Sequence, residues 1–213
     1  MKLLCLANSY KEGGKCLAGI QLDAQNRPLR INGRPRWIRP VCATTFGQVP
    51  NYLCAEAMIL DIIEIDNADV CETSYQPENT IFDKDSIRVL GKLERDILDE
   101  ICDNEAFTTI FGNKGNTITK EAIEEVGYSL MFVKITAFQI RQKKRQNYKR
   151  PQLRLTFRYR GQVYNFPITD PDFLLKYALN NKILDGINSI YVVLSISVPF
   201  NDAYYKLVGT VIY

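Results

Sequence analysis

Between Arg141 and Arg160 the chain reads RQKKRQNYKRPQLRLTFRYR, nine cationic side chains with no acidic one among them. Guanidinium and ammonium groups are the natural partners of phosphate and carboxylate oxygens, and arginine meets them two bonds at a time. Tyr148 sits inside the run and could stack on a base. These types point to a polyanion grip made by Arg141, Lys143, Lys144, Arg145, Tyr148, Lys149, Arg150, Arg154, Arg158 and Arg160. About seven phosphate contacts would make affinity steeply salt-dependent, log K falling by about 0.7 per contact for single strands. Two other readings stay open. The run could meet an acidic protein surface, on this chain or on an effector, or it could be a solvated loop. A second basic run, Arg27, Arg30, Arg34, Arg36 and Arg39, surrounds the only tryptophan. Trp37 and Arg39 could present an aromatic face and a guanidinium to a base; equally, Trp37 could anchor a core.

Histidine is absent, which removes Ser-His-Asp and Cys-His nucleophile systems, His-ligated metals and His bases. Asp61, Glu64 and Asp66 form the nearest carboxylate cluster, but they alternate with isoleucines and read as the wet side of a strand. Ser9 to Lys15 (SYKEGGK) lacks phosphate-loop spacing and precedes a strand, so it reads as a glycine-bearing hairpin loop. No cofactor is implied, and a non-enzymatic protein is expected. Cys5, Cys16, Cys42, Cys54, Cys71 and Cys102 form no C-x-x-C pair, which suggests reduced thiols in a cytoplasm, some of them filling a core. The opening apolar run ends at Ala7, too short for a signal peptide, and no window approaches a membrane span of about 18 apolar residues.

The net charge of +3 conceals blocks: +5 over residues 1–60, −11 over 61–125 and +10 over 126–169. Such blocks imply surfaces with different partners or surfaces that meet.

The elements that must position the cations are clearest at the C-terminal end. A strand of about twelve residues is expected over Ser129–Ile140. Gln152 to Arg160 alternates, with Leu153, Leu155, Phe157 and Tyr159 on one face and Arg154, Thr156, Arg158 and Arg160 on the other. A Gly161-Gln162 turn would return the chain as Val163–Ile168, pairing Tyr159 with Tyr164 and Phe157 with Phe166 as core aromatics. Thr169-Asp170-Pro171 starts a helix running to about Asn181. Strands follow at Ser189–Val198 and Tyr205–Tyr213. Five strands with a helix between the third and fourth is the order of an OB-type barrel. Its oligonucleotide face is built from strands 2 and 3 and flanked by the 1–2 and 4–5 loops, here Arg141–Pro151 and PFNDAYY, with Phe200 and Tyr204 as stacking candidates. In the N-terminal half, Lys2–Ala7, Lys15–Leu22, Trp37–Val41 and Glu56–Ile65 read as strands of a second barrel lacking an evident fifth. Residues from Asp83 to Val126 show helical spacing, with Thr119 capping KEAIEEV.

LCLANSYKEGGKCLAGI, WIRPV, YQPEN and SVPFNDAYYKLVGTVI together resemble the bacterial dual OB-containing domain family. The resemblance spans nearly the whole chain and implies two OB folds, with nucleic-acid-related roles in genome-conflict or phage-defence settings. It supplies no catalytic residues. The expected protein is mainly β with some α: an OB-like barrel over 1–80, an acidic helical connector over 81–127, and a basic OB-like barrel over 128–213. It would bind single-stranded or structured DNA or RNA; the alternative is an adaptor recruiting a protein effector through the acidic block or the basic loop.

Overall fold

The computed structural model describes every residue except 12, 45–46, 67, 72–74, 84–86 and 145–150. The chain divides into two compact units, Met1–Asp103 and Asn104–Tyr213.

The first unit opens with a hairpin of β1 (Lys2–Lys11) and β2 (Gly14–Leu22), paired along its whole length with a bulge at Leu6. β2 adds β5 (Trp37–Val41) after a small hairpin of β3 (Arg30–Ile31) and β4 (Arg34–Pro35). Asn32 and Gly33 both take positive φ there, as a tight two-residue turn requires. β5 pairs in parallel with β8 (Asn79–Ile81). One stretch of chain, 61–70, supplies both remaining partners: β6 (Asp61–Glu64) on β1 and β7 (Asp69–Val70) on β8. The strand order thus runs β7–β8–β5–β2–β1–β6. The strand missing from the sequence reading is Asn79–Ile81, three residues long and starting at the last residue of the YQPEN motif. Inside lie Leu3, Cys5, Leu17, Cys42, Cys54, Ile63 and Phe82, so three of the cysteines pack as small hydrophobes. Burial pushes the Cys5 thiol well above its ordinary range. Gly19 is obligatory in this packing, since a Cβ there would lie 2.0 Å from the Leu4 carbonyl oxygen.

The strand expected over Glu56–Ile65 forms only from Asp61, because Leu60 takes a positive φ of 74° and turns the chain into β6. The segment expected to be a helical connector differs more. β9 (Arg88–Lys92) pairs with β6, α1 is one turn (Ile97–Glu100), and β10 (Thr117–Thr119) precedes α2 (Lys120–Val126). α1 and α2 match the helical reading, and Thr119 caps α2 as expected by accepting from the Ala122 N–H. The unit boundary falls inside this segment, after Asp103.

In the second unit the expected long strand is broken at Thr136–Ala137 into β11 (Leu130–Ile135) and β12 (Phe138–Lys143). The break lets one strand serve two sheets. β12 pairs with β13 (Gln152–Tyr159), which pairs with β14 (Gln162–Pro167), while β11 pairs with β15 (Ile190–Ile196) and β15 with β16 (Ala203–Ile212). A parallel bridge between Ile168 and Val208 closes the ring. α3 (Pro171–Leu179) lies between the third and fourth barrel strands, capped by Asp170, whose carboxylate accepts from the Asp172 and Phe173 N–H groups. Strand order and helix position are those of an OB fold.

The β13–β14 turn corrects one detail. Arg160 and Gly161, both at positive φ, form it, so Phe157 faces Tyr164 and Leu155 faces Phe166. The faces are unchanged, and Phe157, Tyr159, Tyr164 and Phe166 are all buried as expected. Beneath them Lys206 is 1% exposed, its ammonium donating to Ile110 O, Asn113 O and Asn113 Oδ1 at 2.5–2.8 Å. It pins the 110–113 segment over the barrel.

Candidate nucleic-acid interface

Strand pleating sorts the side chains of β12 and β13 into two sets. Ile140, Leu155 and Phe157 turn inward, while Arg141, Lys143, Arg154 and Arg158 share the outer face with Gln139, Gln152 and Thr156. Arg141 stands directly opposite Arg154 in the register. Two like charges at a cross-strand pair destabilise a sheet unless an anion sits between or above them, and residues 126–169 contain no acid to do so.

The two arginines are held differently. Arg154 is half-buried, with its Nε donating to Asn165 Oδ1, Nη1 to Gln152 Oε1 at 2.8 Å and Nη2 to the Asn165 carbonyl at 2.5 Å. Asn165 is itself fixed by donating to Thr156 Oγ1 at 2.8 Å. Burial draws the Arg154 pKa below the ordinary guanidinium value, yet the group stays cationic at any physiological pH. Arg141 is exposed and, among the described residues, donates to Gln139 Oε1 at 3.1 Å. Lys143, Lys144 and Arg158 are exposed. The face thus combines one fixed guanidinium, Arg154, with three solvated cations, Arg141, Lys143 and Arg158, and Lys144 follows at the end of β12.

Arg160 leaves this group. Its guanidinium donates to the Asn104 carbonyl at 2.6 Å and to Glu105 at 3.0 Å, so the acidic block of the chain takes this one basic residue. Arg145, Tyr148, Lys149 and Arg150 lie outside the described residues.

In the loop between β15 and β16 the aromatic assignment changes. Phe200 is 64% exposed, but Tyr204 is buried at 7%; Tyr205 is the exposed neighbour, its ring centroid 6.3 Å from that of Phe200. Parity along β16 decides this, because Tyr204, Lys206 and Val208 point inward together. Lys120 holds the loop by an ion pair of 2.6 Å to Asp202.

In the first unit neither Trp37 nor Arg39 is exposed for the contacts expected of it. Trp37 is buried and its indole N–H points at Asp103 Oδ2, 3.5 Å away; Asp103 also accepts from Arg34 Nε at 2.9 Å. The tryptophan is a core anchor. Arg39 is 1% exposed, donates through Nη1 to Asn79 Oδ1 at 3.3 Å, and leaves Nε without a partner. Arg27 pairs with Asp23, and Arg30 donates to the Gly33 and Glu100 carbonyls. Trp37 and Arg39 are therefore withdrawn from the interface, because all five residues of β5 are buried.

The carboxylates and the glycine loop are accounted for locally. Asp61 is buried and accepts from the Met58 N–H, while Glu64 and Asp66 share the Arg88 guanidinium at 3.1 and 2.8 Å. Among the described residues no cluster of histidine, cysteine and carboxylate side chains could hold a metal. Ser9–Lys11 and Gly13–Lys15 lie at the end of the β1–β2 hairpin, clasped by reciprocal Lys15–Val49 backbone bonds of 2.9 Å. A Cβ at Gly14 would lie 2.4 Å from Val49 O, so that glycine serves packing.

Residues 1–211, which include both barrels, match the dual OB-containing domain family. The chain belongs to it. No curated protein matches the sequence. Among solved structures, this dual OB protein is similar to a murine DNA-binding protein bound with double-stranded DNA, at 6% identity and TM-score 0.38, covering 100% of this chain and 94% of that one. It is similar also to the tetrameric p202 HIN2, at 7% identity and TM-score 0.32, covering 99% and 91%. Among the described residues no helix is long and apolar enough to cross a membrane.

Sequence reasoning missed the amides that organise the face. Gln152 and Asn165 carry no charge and so drew no notice, yet they fix Arg154. Their signal was positional, since both fall on the outward parity of β13 and β14.

Proposed function

We propose that this dual OB protein is a non-enzymatic nucleic-acid-binding module that holds a single strand, or an unpaired part of structured DNA or RNA, across β12, β13 and β14. The observation that carries this reading is the Arg141–Arg154 pair, like charges placed face to face with no acid near them in sequence. A phosphate between them turns a repulsion into two charge-assisted contacts. Lys143, Lys144 and Arg158 extend the track, and Phe200 with Tyr205 offers stacking surface at the 4–5 loop. The six free thiols fit a reducing cytoplasm, and the genome-conflict or phage-defence setting rests on the family resemblance alone.

The test is direct titration of labelled oligonucleotides at low salt. Binding that is lost on reversing Arg141, Lys143 and Arg158 to Glu, with the circular dichroism spectrum unchanged, supports the reading. Absence of binding to single-stranded DNA, single-stranded RNA and duplex DNA sinks it.

A second reading, an adaptor for a protein effector, is favoured by β9. All five of its residues are exposed and it ends the strand order of its sheet, a place where another strand can add. Pull-down that depends on a proline placed at Leu90 would distinguish it.

A further inference from the structure

The pleat that sends Arg141 and Lys143 to one face of the sheet sends Gln142 to the other, opposite Leu153, where it remains exposed. At this end of the second barrel the surface is open, and Gln142, Pro151, Ala178, Leu179, Asn180 and Asn181 are all exposed. A cavity of about 720 Å³ opens between the β12–β13 strands and the C-terminal turns of α3. Leu153, Leu174 and Ala178 form its apolar wall, Tyr177 contributes an aromatic ring, and the carboxamides of Gln142 and Asn181 stand among them. Its described lining holds no charged side chain. The Tyr177 ring packs against Phe173 with centroids 5.9 Å apart, so it is braced from the core side.

We infer that this cavity receives one unstacked nucleobase, whose phosphate is met by the Arg141–Lys144 segment; the inference rests on the proposed binding face and adds a base-accepting site to it. Three features select a nucleobase over other apolar occupants. Carboxamides offer both donors and acceptors, the mixed pattern that the edge of every base presents. Gln142 in the lining is flanked in sequence by Arg141, Lys143 and Lys144, so an anionic group attached to the occupant is favoured over a neutral or cationic one. The volume lies within the range of small-molecule sites, which are mostly apolar with a few placed polar groups. A strand running over the outer face reaches the cavity by turning past the start of β13, where Pro151 also contributes to the wall.

The experiment uses the full chain and three probes: a labelled single-stranded oligonucleotide, the same oligonucleotide with abasic positions, and free nucleoside monophosphates followed by NMR. Ala178→Trp fills the cavity, and Tyr177→Leu removes the ring while keeping an apolar wall. With folding verified by circular dichroism, Ala178→Trp is expected to weaken the intact oligonucleotide about tenfold and the abasic one hardly at all. Tyr177→Leu should produce a smaller loss in the same direction. Intact and abasic probes bound equally by the wild type, with Ala178→Trp without effect, would overturn the cavity while leaving the charged face standing. Nucleoside monophosphate shifts at Tyr177 and Ala178 that vanish in Ala178→Trp, with no oligonucleotide binding, would support the cavity as a nucleotide site and refute the strand-binding face. No binding of any probe overturns both.

Discussion

The two barrels carry arginine in comparable numbers but use it in opposite ways. In the first, Arg27, Arg30, Arg34 and Arg39 are spent on the chain itself, on Asp23, two backbone carbonyls, Asp103 and Asn79. In the second, Arg141 and Arg158 stand exposed on one pleated face while Arg154 is fixed by neutral amides. Charge density in a sequence therefore does not identify a binding surface. What distinguishes the two is parity. β13 alternates strictly, so its arginines must face outward once its leucine and aromatics face in, whereas β5 is buried on both faces and conceals whatever it carries.

The widest contrast should appear in stability. Arg39→Ala removes a large buried side chain and is expected to lower the unfolding free energy by about 3–5 kcal/mol. Arg39→Met keeps the stem and removes a poorly satisfied charge, so it should stay within about 1 kcal/mol of the wild type. Urea denaturation measures both. Equal large losses would mean that the guanidinium itself matters, breaking the claim that the first barrel uses it as packing.

Lys206 offers the next effect, from the second barrel. Lys206→Met removes the donor from the buried Ile110 carbonyl and from the two Asn113 oxygens, and should cost about 2–3 kcal/mol. Burial draws this ammonium down to about 7 from its ordinary 10.5. Between those values the unfolded chain binds more protons than the folded one, so wild-type stability should rise with pH from about 7 towards 10. Lys206→Met should lack that rise. A wild-type profile no steeper than the variant's would show that the three acceptors keep the lysine charged as firmly as water does.

The smallest effect belongs to Arg160. Its partner Glu105 is 95% exposed, so Arg160→Ala should change stability by less than about 1 kcal/mol and leave oligonucleotide affinity nearly unaltered. A large affinity loss would return Arg160 to the binding face.

How much of this was legible depended on local strength of pattern. The β13 alternation, the Asp170–Pro171 helix start and the aromatic core could be read directly, because one period or one cap fixes each. The hairpin register was displaced because Arg160 adopts φ 48°, which nothing in an arginine announces. Ile87, Leu90, Leu93, Ile97 and Leu98 have helical spacing, yet Arg88–Lys92 becomes a strand because the β6 edge supplies backbone partners. β8, at three residues, is too short to show a period. The sequence leaves the burial of Trp37 open and argues against that of Arg39, because a strand buried on both faces has no inside–outside alternation to read.

The central claim, that the second barrel's outer face and not the first barrel's arginine run grips the strand, is tested most directly by salt-dependent fluorescence anisotropy. Labelled single-stranded DNA, single-stranded RNA and duplex DNA would be titrated with the wild type, with Arg141→Glu/Lys143→Glu and with Arg27→Glu/Arg30→Glu. The account predicts that the log K against log salt slope becomes shallower by about 1.4 in the first double variant and stays unchanged in the second. Equal slopes for wild type and Arg141→Glu/Lys143→Glu, or a loss confined to Arg27→Glu/Arg30→Glu, would contradict it.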